Sequence, residues 1–238
     1  MRRLAGPSSH VVPPQTMTKD MALPASPARS SRLGRLRGLY ALVGGSDPLS
    51  QAAEALDGGA QVIQLRVKDR PAAEVVELAA GLVALARGRA LVMVNDRADL
   101  AVLAGADGVH VGDEDLPVAA ARAVVGPDLL VGRSTRTLED GLAALAEGAD
   151  HVGFGPIFST ATKPIAESPR GLAMLAEVAS RLPAPVVAIG GIGLDTIGAV
   201  AAAGAAAAAV IGAIFDRGEP RRRAEALAAA FAAGRRRP

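Results

Sequence analysis

Residues 59–68 read Gly-Ala-Gln-Val-Ile-Gln-Leu-Arg-Val-Lys, and the order of elements in this stretch recurs through the chain. A glycine and a small alanine end a helical segment, and an apolar run typical of a buried strand follows. Period-two alternation places Gln64, Arg66 and Lys68 on one face at the end of that strand. Two cations and an amide at one strand end suit a multiply charged anion such as a diphosphate, although a solvated edge strand carries similar pentapeptides.

From Leu39 onward, short apolar runs alternate eight times with helical segments rich in Ala, Leu, Glu and Arg. Such alternation predicts parallel strands joined by crossover helices, and eight repeats predict one α/β domain, a (β/α)8 TIM barrel. The predicted strands are 39–43, 61–66, 90–94, 108–111, 129–131, 151–153, 186–189 and 206–211. The predicted helices are roughly 49–57, 71–87, 97–104, 117–124, 138–147, 169–181, 195–203 and 219–233.

Glycine–alanine pairs stand directly before the second, fourth, sixth and eighth predicted strands, at 59–60, 105–106, 148–149 and 204–205. Glycine ends a helix in the left-handed conformation, and alanine lets the chain turn tightly into the barrel. We interpret this repeat as structural rather than chemical.

The composition excludes several classes of function. Cysteine is absent, so the chain has no disulfide, no thiolate zinc site and no cysteine nucleophile, which agrees with a cytoplasmic location. No apolar run reaches the length of a membrane span. Aromatic residues make up 2% of the chain, which argues against base-stacking platforms for nucleic acid. We expect small-molecule substrates, and a homo-oligomer remains open.

The basic residues concentrate at the two ends of the chain, and the body between them is acidic. Residues 1–36 are rich in Pro, Ser and Arg and show no sustained periodicity, which predicts a disordered basic extension before a catalytic domain at 37–238. Met17 and Met21 leave open a start further downstream.

The active site of such a barrel lies at the carboxyl ends of its strands. Asp96 follows the third predicted strand and Asp115 the fourth, and their hard carboxylate oxygens suit Mg²⁺ shared with substrate phosphates. The alternative for Asp115 is a cap on the helix after Pro117. The three histidines, at 10, 110 and 151, lack the spacing of a zinc site.

Two further loops indicate anion binding. Gly190-Gly191-Ile192-Gly193 at the end of strand seven and Gly212 at the end of strand eight, after Ile211, offer bare backbone N–H groups to a phosphate, or else form a tight turn. Thr160, Thr162 and Lys163 lie in the loop after strand six, which we read as a lid over anionic groups or as a solvated loop.

Together these residues imply two anionic substrates, one of them a diphosphate. No Ser-His-Asp or paired-acid arrangement is evident. Metal-assisted departure of a diphosphate needs no enzyme nucleophile, because the barrel only has to stabilise the leaving charge.

The chain resembles the thiamine-phosphate synthase family over residues 39–216. The motifs that carry the resemblance are Gln-x-Arg-x-Lys at 64–68, Asn-Asp at 95–96, His-Val-Gly-Asp-Glu-Asp at 110–115, Gly-x-Ser at 132–134, Gly-Pro-Ile-Phe-x-Thr-x-Thr-Lys at 155–163 and Gly-Gly-Ile at 190–192. The resemblance implies that hydroxymethylpyrimidine diphosphate loses diphosphate and that the nitrogen of a thiazole phosphate captures the resulting cation, giving thiamine phosphate.

The resemblance also implies roles for individual residues. It assigns the pyrimidine to Gln64 and Ser134; the diphosphate to Arg66, Lys68, Asn95 and Lys163; Mg²⁺ to Asp96 and Asp115; and the thiazole phosphate side to Thr160, Thr162, Gly191 and Gly212, with Ile211 beside them. Arg66, Lys68, Lys163 and Ser134 would carry the catalytic step.

Three positions depart from the family pattern. Asp113 stands where Gln is usual and adds negative charge beside the metal site. Arg136 stands where His is common and would aid an anion or face solvent. Gly212 stands where Ser is common and keeps only its backbone N–H for a phosphate.

Three alternatives remain open: a thiazole tautomerase on the same barrel, another phosphate-binding barrel enzyme of amino-acid biosynthesis, and a non-catalytic barrel that binds a thiamine precursor. A tautomerase needs neither the diphosphate clamp nor the metal-binding acids, and it is expected to keep a His near position 136.

Overall fold

The computed structural model describes residues 25–160 and 168–236, in which eight parallel strands form a closed barrel. Each strand pairs with the next along the chain, and β1 pairs with β8 to close the ring. The strands are β1 (Gly38–Val43), β2 (Val62–Leu65), β3 (Leu91–Asn95), β4 (Gly108–Val111), β5 (Leu130–Thr135), β6 (His151–Phe154), β7 (Val186–Ile189) and β8 (Ala207–Val210). The predicted (β/α)8 fold is therefore confirmed.

Helices follow the strands around the outside of the barrel. They are α1 (Pro27–Arg35), α2 (Pro48–Asp57), α3 (Ala72–Ala86), α4 (Ala98–Leu103), α5 (Val118–Val125), α6 (Leu138–Ala146), α7 (Gly171–Arg181), α8 (Leu194–Ala202), α9 (Gly212–Phe215) and α10 (Pro220–Arg235). The sequence pattern predicted all of them except α1 and the four-residue α9. Within the described residues, no helix is long and apolar enough to cross a membrane.

Strand β5 is longer than the sequence pattern predicted, because it continues to Thr135 rather than ending at 131. Its last residues pair on both sides, with Val111 opposite Arg133 and Thr135 opposite Phe154. A Gly-Arg-Ser-Thr segment lacks the apolar run that marks a buried strand, so tertiary pairing decided its conformation. Ser134 consequently stands on a strand and not in a loop.

Helix α1 corrects the prediction that residues 1–36 are disordered, since residues 27–35 are helical. The part of that prediction that concerns residues 1–24 lies outside the described residues. Ser26 Oγ caps the helix by accepting a hydrogen bond from the Arg29 backbone N–H at 3.0 Å. The sequence pattern did not predict this helix, because arginines rather than apolar residues make many of its contacts.

Helix α1 packs against the amino-terminal end of the barrel, opposite the predicted site. Arg29 pairs with Asp150 at 3.4 Å, and Arg32 pairs with Asp107 at 2.9 Å. Leu36, directly after the helix, is buried with the side chains inside the barrel. These contacts hold α1 in place against the amino-terminal end of the barrel.

The glycine–alanine repeat has the structural role that we predicted. All four of its glycines have positive φ angles, between 67° and 104°: Gly59, Gly105, Gly148 and Gly204. Two of the repeats continue into an aspartate that accepts a neighbouring strand's N–H. Asp107 accepts from Val92 at 2.9 Å, and Asp150 accepts from Val131 at 2.8 Å.

The interior of the barrel is filled unevenly. Large buried side chains, among them Leu91 and Met93, occupy part of it. On the other strands, Gly132, Gly153 and Ala209 offer little side-chain volume. The barrel therefore encloses an open space that continues into the surface at the carboxyl ends of the strands.

Candidate active site

A cleft of about 1000 Å³ occupies the carboxyl end of the barrel. Every predicted site residue that the structure describes lines this cleft: Gln64, Arg66, Lys68, Asn95, Asp96, Asp115, Ser134, Thr160, Gly191, Ile211 and Gly212. Thr162 and Lys163 lie outside the described residues. The barrel thus brings together residues that are far apart in the sequence, as parallel strands around one axis require.

The amide group of Gln64 is held at both ends by hydrogen bonds. Tyr40 Oη donates to its Oε1 at 2.6 Å, and its Nε2 donates to Asn95 Oδ1 at 2.7 Å. Burial raises the pKa of Tyr40 far above its ordinary value, so its hydroxyl remains a hydrogen-bond donor. This network orients the polar end of β2 toward the cleft.

The carboxyl groups of Asp96 and Asp115 lie close enough to interact, and Asp115 acts on the pKa of Asp96. Asp96 directly follows β3 and has a φ of 65°, a conformation that non-glycine residues adopt mainly where function or packing demands it. Burial first, and then the neighbouring Asp115, raise the pKa of Asp96 to about 6, while Lys68 and Arg66 lower it. Two acids this close are a suitable donor set for a divalent cation.

The alternative role for Asp115, as a cap on α5, is wrong. Pro117 occupies the N-cap position, and no side chain caps that helix end. Asp115 Oδ2 instead accepts a hydrogen bond from the Gly112 backbone N–H at 2.7 Å. Within the described residues there is no group of three or more His, Cys, Asp or Glu that could hold a metal. A pair of carboxylates is a donor set that Mg²⁺ can use, because this ion keeps several waters and shares substrate phosphates.

Two of the three departures from the family pattern contact each other. Asp113 forms an ion pair with Arg136, and it also pairs with Arg133 Nη2 at 2.8 Å. Arg133 donates a further hydrogen bond to the Gly112 carbonyl. The negative charge that Asp113 adds near Asp96 and Asp115 is therefore balanced by two guanidinium groups.

The glycine-rich loop after β7 packs against the loop after β6. Gly190 and Gly191 have φ angles of 99° and 64°. The Phe158 N–H donates to the Gly190 carbonyl at 3.0 Å, and a Cβ at position 191 would lie 2.8 Å from Phe158 Cβ. The tight-turn explanation for these glycines thus holds, and a phosphate-binding role for Gly191 stays a prediction.

Gly212 begins α9 at the end of β8. The carboxylate of Asp216 lies where a side chain on residue 212 would stand, so glycine leaves room for this acid. Arg223 also lines the cleft, and its Nε donates to the Ala213 carbonyl at 2.6 Å. This end of the cleft carries charges of both signs.

Several residues that line the cleft were not predicted from the sequence, among them Tyr40 and His151, and His110 was placed at the end of a strand without an assigned role. His110 Nε2 lies 3.0 Å from Ser134 Oγ, and its ring centroid is 5.8 Å from that of His151. Burial lowers the pKa of His110 to about 4 and that of His151 to about 3, so both rings are neutral. The position of His110 at the end of a predicted strand was a usable signal, but His151 begins its strand and gave none.

Comparison with known proteins agrees with these features. The sequence model described as thiamine monophosphate synthase matches residues 39–214. A thiamine-phosphate synthase of Anaeromyxobacter dehalogenans is 63% identical over 215 residues, covering 90% of this chain and 97% of the relative. One from Myxococcus xanthus is 47% identical over 188 residues, covering 79% and 86%.

A solved structure also resembles this chain in fold and in sequence. The thiamine phosphate pyrophosphorylase from Pyrococcus furiosus superimposes with a TM-score of 0.77 at 34% identity, covering 84% of this chain and 98% of that one. The fold, the cleft and these relatives agree, and the chain belongs to the thiamine monophosphate synthase family, transferases that form thiamine phosphate.

Proposed function

We propose that this enzyme joins hydroxymethylpyrimidine diphosphate to thiazole phosphate and releases thiamine phosphate and diphosphate. The observation that carries the proposal is the arrangement of one cleft, which has two cations and two acids on one side and a glycine-lined end on the other. Such a cleft suits two anionic substrates that must meet. We also expect the enzyme to act in the cytoplasm, as the lack of cysteine indicates.

Arg66 and Lys68 would bind the diphosphate of the pyrimidine substrate. Both line the cleft beside Asp96, and their charges act on that carboxyl group. Asn95, already oriented by Gln64, would add an amide donor. Lys163 would add a further cation, as the family resemblance implies. These groups stabilise negative charge as it collects on the departing diphosphate.

Asp96 and Asp115 would hold Mg²⁺ together with oxygens of the diphosphate and water. The donor set fits, because the two carboxyl groups are near enough for Asp115 to raise the pKa of Asp96, and carboxylate oxygens are ligands that Mg²⁺ prefers. When bound, the ion supplies positive charge that makes the diphosphate a better leaving group. The ion pairs of Asp113 offset its charge, so Asp96, Glu114 and Asp115 carry the remaining negative charge on this side of the cleft.

The remaining residues orient the two rings. Gln64 and Ser134 would position the pyrimidine, with His110 holding the Ser134 hydroxyl. As the carbon–oxygen bond to the diphosphate breaks, its electron pair leaves with the diphosphate and a pyrimidine-methyl cation forms. The lone pair of the thiazole nitrogen then forms the new carbon–nitrogen bond. No enzyme nucleophile or base is needed for this step, so alignment is the main task of the cleft.

The thiazole phosphate would bind at the opposite end, near Gly191, Ile211 and Gly212, with Thr160 from the loop after β6. Backbone N–H groups there suit a phosphate. Gly212 offers the phosphate no hydroxyl, and the Asp216 carboxylate beside it would repel a phosphate. Arg217 and Arg223 also line the cleft and would offset that charge.

The direct test mixes the purified enzyme with both substrates, in Mg²⁺ or in EDTA, and measures thiamine phosphate and diphosphate. We expect product only with Mg²⁺. Asp96→Asn should lower the rate by more than about tenfold, because it removes a ligand charge. Asp99→Asn is the matched control, since Asp99 lies on α4 in an exposed ion pair with Arg97. Equal rates in EDTA, or equal rates for the two variants, would contradict the metal assignment.

The same experiment separates the alternatives. A tautomerase would interconvert thiazole isomers without the pyrimidine substrate and would form no product from the pair. A precursor-binding barrel would bind both substrates and release neither product. The ion pair that occupies Arg136, where a tautomerase is expected to keep His, supports the transferase.

A further inference from the structure

His151 is a titratable side chain at the bottom of the cleft for which the proposed reaction has no role so far. It is the first residue of β6, its side chain has no solvent exposure, and it lines the cleft. Tyr40, Val187 and Ala209 line the cleft with it. A polar ring therefore lies among mainly apolar groups in the deepest part of the cleft.

The barrel makes room for this ring by placing glycines beside it. His110, Gly132 and His151 lie in one register row across β4, β5 and β6. A Cβ on Gly132 would collide with both imidazoles, and one on Gly153 would lie 2.9 Å from His110 Cε1. Any other residue at these two positions would displace the rings. Glycine at 132 and 153 therefore makes room for both histidines.

The two histidines differ in their hydrogen bonding. His110 Nε2 meets Ser134 Oγ at 3.0 Å. Neither ring nitrogen of His151 has a hydrogen-bond partner among the described residues. A buried polar group without a partner is costly and rare, so it calls for a ligand or a trapped water. A neutral imidazole offers one donor and one acceptor to such a partner.

We propose that His151 is a recognition residue for the aminopyrimidine ring and forms a hydrogen bond to it through one ring nitrogen. The inference rests on the substrate pair proposed above. An aminopyrimidine presents an amino donor beside a ring-nitrogen acceptor, so it complements a neutral imidazole. The thiazole is the poorer match, because its nitrogen must keep its lone pair free to attack.

The position of His151 also favours the pyrimidine. His151 is adjacent to His110, which holds Ser134, and the resemblance assigns Ser134 to the pyrimidine. The glycine-lined end assigned to the thiazole phosphate lies at the carboxyl ends of β7 and β8, whereas His151, at the start of the neighbouring β6, lies deeper in the barrel. We therefore expect the pyrimidine ring to enter the deep part of the cleft and its diphosphate to remain at the mouth.

NMR of the wild-type enzyme tests this directly. The chain has only three histidines, so spectra of protein labelled at the histidine ring nitrogens are simple to assign with single substitutions. Saturating pyrimidine diphosphate in EDTA should move one ring-nitrogen signal of His151, and thiazole phosphate alone should leave it in place. An unmoved His151 signal at saturation would overturn the inference and would point to a permanently trapped water.

Kinetics provide a second, independent readout. His151→Phe replaces the imidazole with a slightly larger apolar ring and should raise the KM for pyrimidine diphosphate by about tenfold, while the KM for thiazole phosphate stays within about twofold. A pyrimidine analogue without its amino or ring-nitrogen partner should bind wild type and variant equally. His151→Gln, which restores a donor and an acceptor, should recover part of the loss.

The measurements distinguish three outcomes: a damaged fold, failure of the proposed function, and failure of the role of His151. If His151 recognises the pyrimidine, His151→Phe removes an unsatisfied buried polar group and should not lower the thermal midpoint of unfolding. If its role is purely structural, the midpoint should fall and both KM values should rise equally. If wild type forms no thiamine phosphate, the proposed function fails. If wild type is active and neither His151 readout responds, only the role of His151 fails.

Discussion

Tyr40 Oη lies 2.6 Å from Gln64 Oε1, and this hydrogen bond joins the only tyrosine of the chain to the start of its cationic stretch. The two residues stand on neighbouring strands, β1 and β2. Because Gln64 also donates to Asn95, the hydroxyl of Tyr40 fixes which end of the amide carries the N–H groups. A single buried hydroxyl thus decides how the cleft presents an amide.

Tyr40→Phe should therefore weaken binding of the pyrimidine substrate. Losing one hydrogen bond to a buried amide is worth about 1 kcal/mol, and we expect a rise of roughly fivefold in the KM for pyrimidine diphosphate. The KM for thiazole phosphate should stay unchanged in the same assay. A parallel rise in both would show that the variant disturbs the whole barrel end and not the amide.

Gly191→Ala should impair use of the thiazole phosphate. The φ of 64° disfavours alanine, and the new Cβ would lie 2.8 Å from Phe158 Cβ, so the loops after β6 and β7 must separate. We expect the KM for thiazole phosphate to rise by about tenfold or more.

Gly88→Ala is the control for Gly191→Ala. Gly88 has a φ of 74°, yet a Cβ there would meet no atom within 4 Å. It should cost about 1 kcal/mol of stability through left-handed strain and leave both KM values unchanged. If both variants lower stability equally and Gly191→Ala keeps wild-type kinetics, the loop does not bind phosphate.

Asp150→Asn should destabilise the amino-terminal end of the barrel, where α1 packs, without affecting catalysis. Asp150 is largely shielded from solvent and pairs with Arg122 and Arg29. Removing its charge takes this counter-ion away from the buried guanidinium of Arg122 and breaks the ion pair with Arg29, which costs about 3 kcal/mol in the free energy of unfolding. Denaturant unfolding measures this loss, with Glu147→Gln, an exposed neighbour, as the control. A change below about 0.5 kcal/mol would show that the ion pairs do not hold α1.

Stability should fall as the pH drops below about 6.5. Burial lowers the pKa of His110 to about 4 and that of His151 to about 3, so the folded protein keeps both rings neutral while the unfolded chain takes up protons. At pH 5, about 1.5 units below the unfolded value, each histidine would remove about 2 kcal/mol. Unfolding curves from pH 8 to pH 5 measure this loss.

Asp96 opposes the effect in part, because its pKa is raised to about 6 and the folded protein gains a proton there as the pH falls. The Asp96→Asn background isolates the contribution of the histidines. In that background, His151→Phe should flatten the pH dependence, and a curve as steep as that of the parent would contradict the buried, neutral state of His151.

The sequence by itself determined the fold and most of the cleft. Eight apolar runs alternating with helical segments leave few arrangements other than a parallel barrel, and parallel strands place all their carboxyl ends on one side. Arg66, Asp96 and Gly191 therefore reach the same cleft simply because each follows a strand. The three departures from the family pattern, Asp113, Arg136 and Gly212, were also evident from sequence.

Tertiary structure alone decided the partners of these residues. Helix α1 gave no signal because its ion pairs join it to aspartates far along the chain, and β5 ran beyond its apolar core because strands on both sides supply its hydrogen bonds. Tyr40 and His151 are not marked by any local pattern, since only closure of the barrel turns them toward the same interior space. The periodicity of a sequence shows which face of a strand a side chain occupies. Which side chains from other strands it contacts depends on the register between strands that are distant in the sequence.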